Sequence, residues 1–303
     1  MTMTATERNA LLSQWIKPSS ESEQDRQERA ERMIRDAIKA HPAFKDTSVA
    51  VYAKGSYANN TNVRVDSDVD IVVENRDLYY SDYFPGVVAS PQISWEPYTG
   101  SWGPANWRAE VAKALTNCFG ASDVDTSGNV ALVVAEKPGS RPSTDVIPSF
   151  LYYRYDDPNQ RVTHQGSKVF KKDGSGSIIN WPQQQLDNGR RKNANTNRRY
   201  KNFVRALKNA ENFLVKQGTI KAKPSYLMEC LIWNVPNPTL TSGDLERGFS
   251  ATLVWLWQHL NDQYNQEDWE EPNQLKYLFA PGQKWTVNAA KEVVLETWQL
   301  LDY

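Results

Sequence analysis

The chain has 303 residues, 40% hydrophobic and 23% charged, with 35 basic against 36 acidic side chains and a net charge of −1. That length supports one large or two modest domains with a real core, and that balance supplies no global field toward nucleic acid or membrane. Two distant cysteines (Cys118, Cys230) and three scattered histidines (His41, His164, His259) argue against a disulfide framework and against zinc chemistry. The first fifteen residues lack the basic start and apolar core of a secretion signal, and no apolar run is long enough to span a bilayer, so the expected setting is the cytoplasm.

In chain order, "SSESEQDRQERAERMIRDAIKAH" predicts a long charged helix over 20–41, with serine caps, a thin stripe of Met33, Ile34 and Ile38, and Pro42 as its stop. "TSVAVYAKGS" predicts a strand that ends at Gly55-Ser56, and "VRVDSDVDIVVE" a second strand. Residues 77–103 read as irregular connection, followed by an amphipathic helix, "NWRAEVAKALTNCFG", closed by Gly120. "NVALVVAE" and "STDVIPSFLYYRY" predict two more strands, and "KKDGSGSIINWP" a Gly/Ser-rich hairpin. From Gly189 onward the texture is helical, through "TNRRYKNFVRALKNAENFLVKQG", "PSYLMECLIWNVP", "LERGFSATLVWLWQHLNDQY" and "VNAAKEVVLETWQLL". The expected class is α+β, with a crevice between an α+β half and a helical half as the default ligand site and the N-terminal helix packing across both.

Alternation along the second strand sets Asp66, Asp68 and Asp70 on one face and Val65, Val69 and Ile71 on the other. Two close carboxylates repel unless a cation sits between them, and Mg²⁺ commonly uses one or two carboxylates plus substrate phosphates. Asp145, opening an apolar strand, is the candidate third carboxylate, and the Gly55-Ser56 turn offers N–H groups and a hydroxyl to phosphate. Each feature alone reads as a solvated strand edge; together they point to phosphoryl chemistry at paired metals. Asp66 shares the acidic face but reads as a turn or strand-start residue.

"GSYANNTNVRVDSDVDIVV" resembles the active-site signature of the cGAS/DncV-like nucleotidyltransferases (CD-NTases), within the DNA-polymerase-β-like superfamily. The resemblance recurs in order at "STDVIP", "INWPQQQLDNG", "NTNRRYKNFVRALKNAENFL" and "PSYLMECLIWNVP", and is nearest the E clade, whose members make uridine-containing cyclic dinucleotides in anti-phage signalling. It implies a polymerase-β-like nucleotidyltransferase core over 1–188, a helical domain over 189–303 and a long N-terminal helix spanning both. It implies a two-metal site for Mg²⁺ or Mn²⁺ on Asp68, Asp70 and Asp145, with Asp145 helping to deprotonate a 3′-hydroxyl. Gly55 and Ser56 then hold the triphosphate, and Lys201 and Ser225 match positions that contact donor phosphates. An asparagine at Asn180 is associated with uracil, and a serine there with purines; a turn residue ahead of Trp181-Pro182 is the plainer reading. Tyr57 and Trp181 are each either base-stacking or packing residues.

The expected activity is cyclic dinucleotide synthesis from UTP and ATP, giving cyclic UMP–AMP or cyclic di-UMP, with a downstream effector protein reached through the product. No membrane and no long nucleic acid is expected as partner. Transfer to an RNA 3′ end or a protein hydroxyl, a catalytically silent nucleotide-binding module, and an interaction protein that docks through a Trp-rich helical half stay open at this level.

Overall fold

In the computed structural model, which describes residues 3–63, 68–94, 96–262 and 266–303, helix α1 (Ala5–Trp15) begins at a reciprocal cap between Thr4 and Glu7. The next helix, α2 (Glu21–Ala40), begins at a second such cap between Ser20 and Glu23. It buries Gln27, Ala30, Ile34, Ala37 and Ile38, a helical stripe, and stops ahead of Pro42. Strand β1 (Val49–Ala53) and a single helical turn α3 (Gly55–Ala58) follow, then β2 (Val69–Tyr83), α4 (Pro104–Phe119), β3 (Val124–Asp125) and β4 (Leu132–Val134). The rest of the sheet is β5 (Thr144–Tyr155) and the hairpin of β6 (Thr163–Phe170) with β7 (Ser177–Asn180).

The sheet runs β1-β2-β5-β4-β3, with β6 also on β5 and β7 on β6. Its two central strands, β2 and β5, are parallel. Val69, Ile71 and Val73 of β2 and Val146 and Phe150 of β5 bury one face against Ile34 and Ile38 of α2 and Trp107, Val111 and Leu115 of α4. The strand residues between them look the other way. Pro148 is tolerated mid-strand because it falls between the stretch of β5 paired to β4 and the stretch paired to β6. Strand β2 runs on to Tyr83 through what the sequence reading took as connection. "ENRD" makes a bulge, in which the Asn75 side-chain oxygen accepts the N–H groups of Asp77 and Leu78. Beyond it Tyr79, Tyr80 and Tyr83 resume pairing with β5.

The helices after the sheet are α5 (Pro182–Asn195), α6 (Arg199–Lys216), α7 (Ser225–Asn234), α8 (Asn237–Leu240), α9 (Leu245–Asn261) and α10 (Val287–Leu300). Leu12 of α1 joins Phe203, Leu207, Leu231, Phe249, Leu253 and Val293 in a second apolar core. Two units result. One is Ser20–Tyr57 with Asp66–Gln183; the other is Met1–Ser19, Ala58–Val65 and Gln184–Tyr303. The helical unit takes up the chain at Gln184 and also includes α1 and residues 58–63. Among the described residues no helix is long and apolar enough to cross a membrane.

Candidate active site

After β1 the chain turns at Gly55, whose φ of +69° lies in the left-handed region that favours glycine. A Cβ there would stand 2.6 Å from Oδ2 of Asp70. The preceding Lys54 N–H donates to the Asp70 carbonyl at 2.9 Å. The Gly-Ser turn therefore lies against the second acid of the Asp-x-Asp pair, too close for a side chain at Gly55.

Parallel pairing sets Asp70 directly beside Asp145 on the neighbouring strand, at the ~4.8 Å spacing of adjacent strands. Their neighbours Ile71 and Val146 are fully buried on the other face, so both carboxylates leave the sheet on the face away from α2 and α4. Asp68 stands exposed one residue before β2, rather than within the strand as its spacing predicts. Burial and the Asp68 charge raise the Asp70 carboxyl above the usual range against the pull of Lys54. The Asp145 carboxyl is pushed up to about 6 by burial and by the charges of Asp70 and Asp68, again opposed by Lys54. Three acids with one lysine leave excess negative charge that favours a divalent cation. Among the described residues no three acidic, histidine or cysteine groups converge into a closed cage. An open pair of oxygen donors suits Mg²⁺, which keeps water and phosphate in its remaining positions.

Asn180 belongs to the same face. Leu151 of β5 pairs with Ser167 of β6, which pairs with Asn180 of β7. Leu151 shares parity with Asp145, so the half-buried Asn180 side chain is on the acidic side of the sheet. Trp181 goes to the other side, 5% exposed, edge-on to Tyr152 and under the Arg154 guanidinium. It packs rather than offering a face to a base. Gly166 makes this possible: a Cβ there would stand 2.7 Å from both the Asn180 carbonyl and the Trp181 ring.

Residues 187–302 match the cGAS/DncV-like nucleotidyltransferase C-terminal helical domain. Over 291 residues the chain is 37% identical to the cyclic dipyrimidine nucleotide synthase CdnE of Legionella pneumophila, covering 95% of each. The chain is a cGAS/DncV-like nucleotidyltransferase. Its fold matches the Rhodothermus marinus CdnE c-UMP-AMP synthase, solved with Apcpp and Upnpp, at a TM-score of 0.80 and 27% identity over 96% of this chain and 95% of that one. It matches the Elizabethkingia meningoseptica CdnE cyclic dinucleotide synthase, solved with GTP and Apcpp, at 0.78 and 29%, over 96% and 98%.

In this nucleotidyltransferase Tyr57 leans on the sheet-unit core, and burial with the charges of Glu31 and Glu28 pushes its hydroxyl up to about 12. Lys201, half-buried on α6, is held below the usual lysine range by burial; Glu229 opposes this, and Arg190 and Arg205 add to it. Ser225 is exposed at the first turn of α7, where helix N–H groups lack intrahelical partners. The structural role read for Asp66 falls outside the described residues. Sequence reasoning passed over Lys54, the cation whose charge reaches both Asp70 and Asp145. Its signal was a lone lysine at a strand end just before the Gly-Ser turn.

Proposed function

We propose that this nucleotidyltransferase makes a uridine-containing cyclic dinucleotide, cyclic UMP–AMP or cyclic di-UMP, as a second messenger in anti-phage defence. It acts in the cytoplasm on UTP and ATP and reaches an effector protein through its product. The 3′-hydroxyl of one nucleotide attacks the α-phosphate of another and pyrophosphate leaves; a second transfer closes the ring. The Asp145 carboxylate takes the proton from the attacking hydroxyl. Gly55 and Ser56 hold the donor triphosphate, and Lys201 and Ser225 contact donor phosphates. Asp68, Asp70 and Asp145 would hold Mg²⁺ or Mn²⁺, which when bound would supply positive charge to the triphosphate and to the leaving pyrophosphate.

What supports uridine is Asn180, in register on the sheet face that carries Asp70 and Asp145. A side-chain amide has a donor and an acceptor and so pairs with uracil O4 and N3–H. The test is one incubation with all four nucleoside triphosphates and Mg²⁺ or Mn²⁺, followed by phosphatase and mass spectrometry. A uridine-containing, phosphatase-resistant product is expected, absent with Asp68→Ala. Asn180→Ser should move the product toward purines; unchanged base choice removes the uridine reading.

A further inference from the structure

Between the Gly55-Ser56 turn and Asp68 the chain passes through Asn59, Asn60 and Thr61, which belong to the helical unit. This passage is held by charged groups that the reaction does not use. Glu229 of α7 is 1% exposed. Its carboxylate accepts the Asn59 side-chain amide at 2.8 Å and the Thr61 hydroxyl at 3.0 Å, and a third bond from the Gln185 amide at 2.8 Å. Lys208 of α6, 3% exposed, donates from Nζ to the Thr61 carbonyl at 3.0 Å. Arg205, one turn earlier, donates from Nη1 to the Asn60 carbonyl at 2.6 Å and from Nε to the Ile16 carbonyl at 2.7 Å. Asn60 is held at φ +50°, where non-glycine residues are uncommon. Gly189 of α5 leaves room for the Asn59 amide, since a Cβ there would meet its oxygen at 2.9 Å.

Burying charges to hold a loop is a poor route to stability. Desolvation offsets much of the attraction, and well-packed apolar groups serve as well or better. What such a network does secure is one conformation. Here that conformation belongs to a segment that follows closely on the phosphate turn in the chain.

We propose that Glu229, Lys208 and Arg205 are positioning residues for nucleotidyl transfer. They clamp Asn59–Thr61 and thereby set the phosphate turn just before it for reaction. This rests on the assignment of Gly55, Ser56 and Asp68 given above. Thr61 is fully buried and gives the mildest test: Thr61→Val keeps its shape and removes the hydroxyl, and Thr61→Ser keeps the hydroxyl. Pyrophosphate release from UTP and ATP is followed on the full chain while MgCl₂ is titrated, with circular dichroism and thermal melting as fold checks.

The folded Thr61→Val protein should lose about tenfold in kcat with a higher half-saturating Mg²⁺, and Thr61→Ser should restore both. A purely structural role would change the melting temperature and leave kcat per folded molecule and Mg²⁺ dependence alone. A folded Thr61→Val protein with wild-type kcat and Mg²⁺ dependence overturns the proposal. If Thr61→Val does not fold, Lys208→Arg, which keeps charge and donor but changes reach, takes its place with the same two outcomes. Failure of the site assignment looks different: Asp68→Ala would then stay as active as wild type, and the clamp proposal would fall with it.

Discussion

Replacing Gly55 with alanine perturbs the Gly-Ser turn and the Asp70 carboxylate with a single methyl group. At φ +69° an L side chain costs ~1–2 kcal/mol of backbone strain. The new Cβ would stand 2.6 Å from Asp70 Oδ2, where ordinary contact begins at 3.4 Å, so the carboxylate has to retreat by about 0.8 Å. The Lys54 N–H holds the Asp70 carbonyl and β5 pairs the strand in register, so the backbone stays and the carboxylate itself must turn from its place beside Asp145. A displacement near 1 Å in a reacting geometry costs on the order of 10²-fold, equivalent to ~2.7 kcal/mol in the barrier. Gly55→Ala should therefore lose about 10²-fold in kcat/KM for pyrophosphate release while its melting temperature falls by only a few degrees. Gly55→Asn separates the two causes, since asparagine tolerates the left-handed region but carries the same Cβ. It should be as inactive with a smaller loss of melting temperature. A Gly55→Ala enzyme within about threefold of wild type would refute the contact between the turn and Asp70 as a constraint on the reaction.

Gly166→Ala drives a Cβ to 2.7 Å from the Asn180 carbonyl, so KM for UTP should rise about tenfold while KM for ATP hardly moves; an equal shift for both nucleotides would detach Asn180 from base choice. Asn75→Ala removes the fully buried side chain whose oxygen accepts the N–H groups of Asp77 and Leu78, and urea unfolding should show a loss of about 1–2 kcal/mol; a loss below about 0.5 kcal/mol would show the bulge holds itself. Lys192 donates to the Val235 carbonyl, and burial lowers its ammonium to about 8 from a normal 10.5. Because the folded state binds this proton less tightly than the unfolded state, its contribution is full above pH 10.5 and is lost as pH falls through 8. Between pH 7 and 9.5 the melting temperature of Lys192→Met should thus rise less with pH than that of wild type; parallel curves would contradict this.

Much of the fold was legible because local rules governed it. Serine at the start and Pro42 at the end bounded α2, and the strands 49–53 and 144–155 lay where alternation and flanking turns put them. Local rules failed at "ENRD", where a charged, turn-like run proved to be a bulge inside β2. They gave no sign that residues 58–63, just after the Gly-Ser turn, group with the helical unit. The polar Asn59 and Thr61 gave no local sign that Glu229, some 170 residues on, would take their hydrogen bonds.

The sequence by itself determined the chemistry available: an Asp-x-Asp repeat behind a Gly-Ser turn, a lone acid opening an apolar strand, and an asparagine after a hairpin. These follow from residue type and a period of two, which a single segment displays without neighbours. Only the tertiary structure decided which of them share a face. The parallel register of β2 and β5 sets Asp145 beside Asp70, and two further antiparallel registers carry Asn180 onto the same side. The reason is physical. Register is chosen by burying Val69, Ile71, Val146 and Phe150 together against α2 and α4, and a slip of one residue would send every acid into that core.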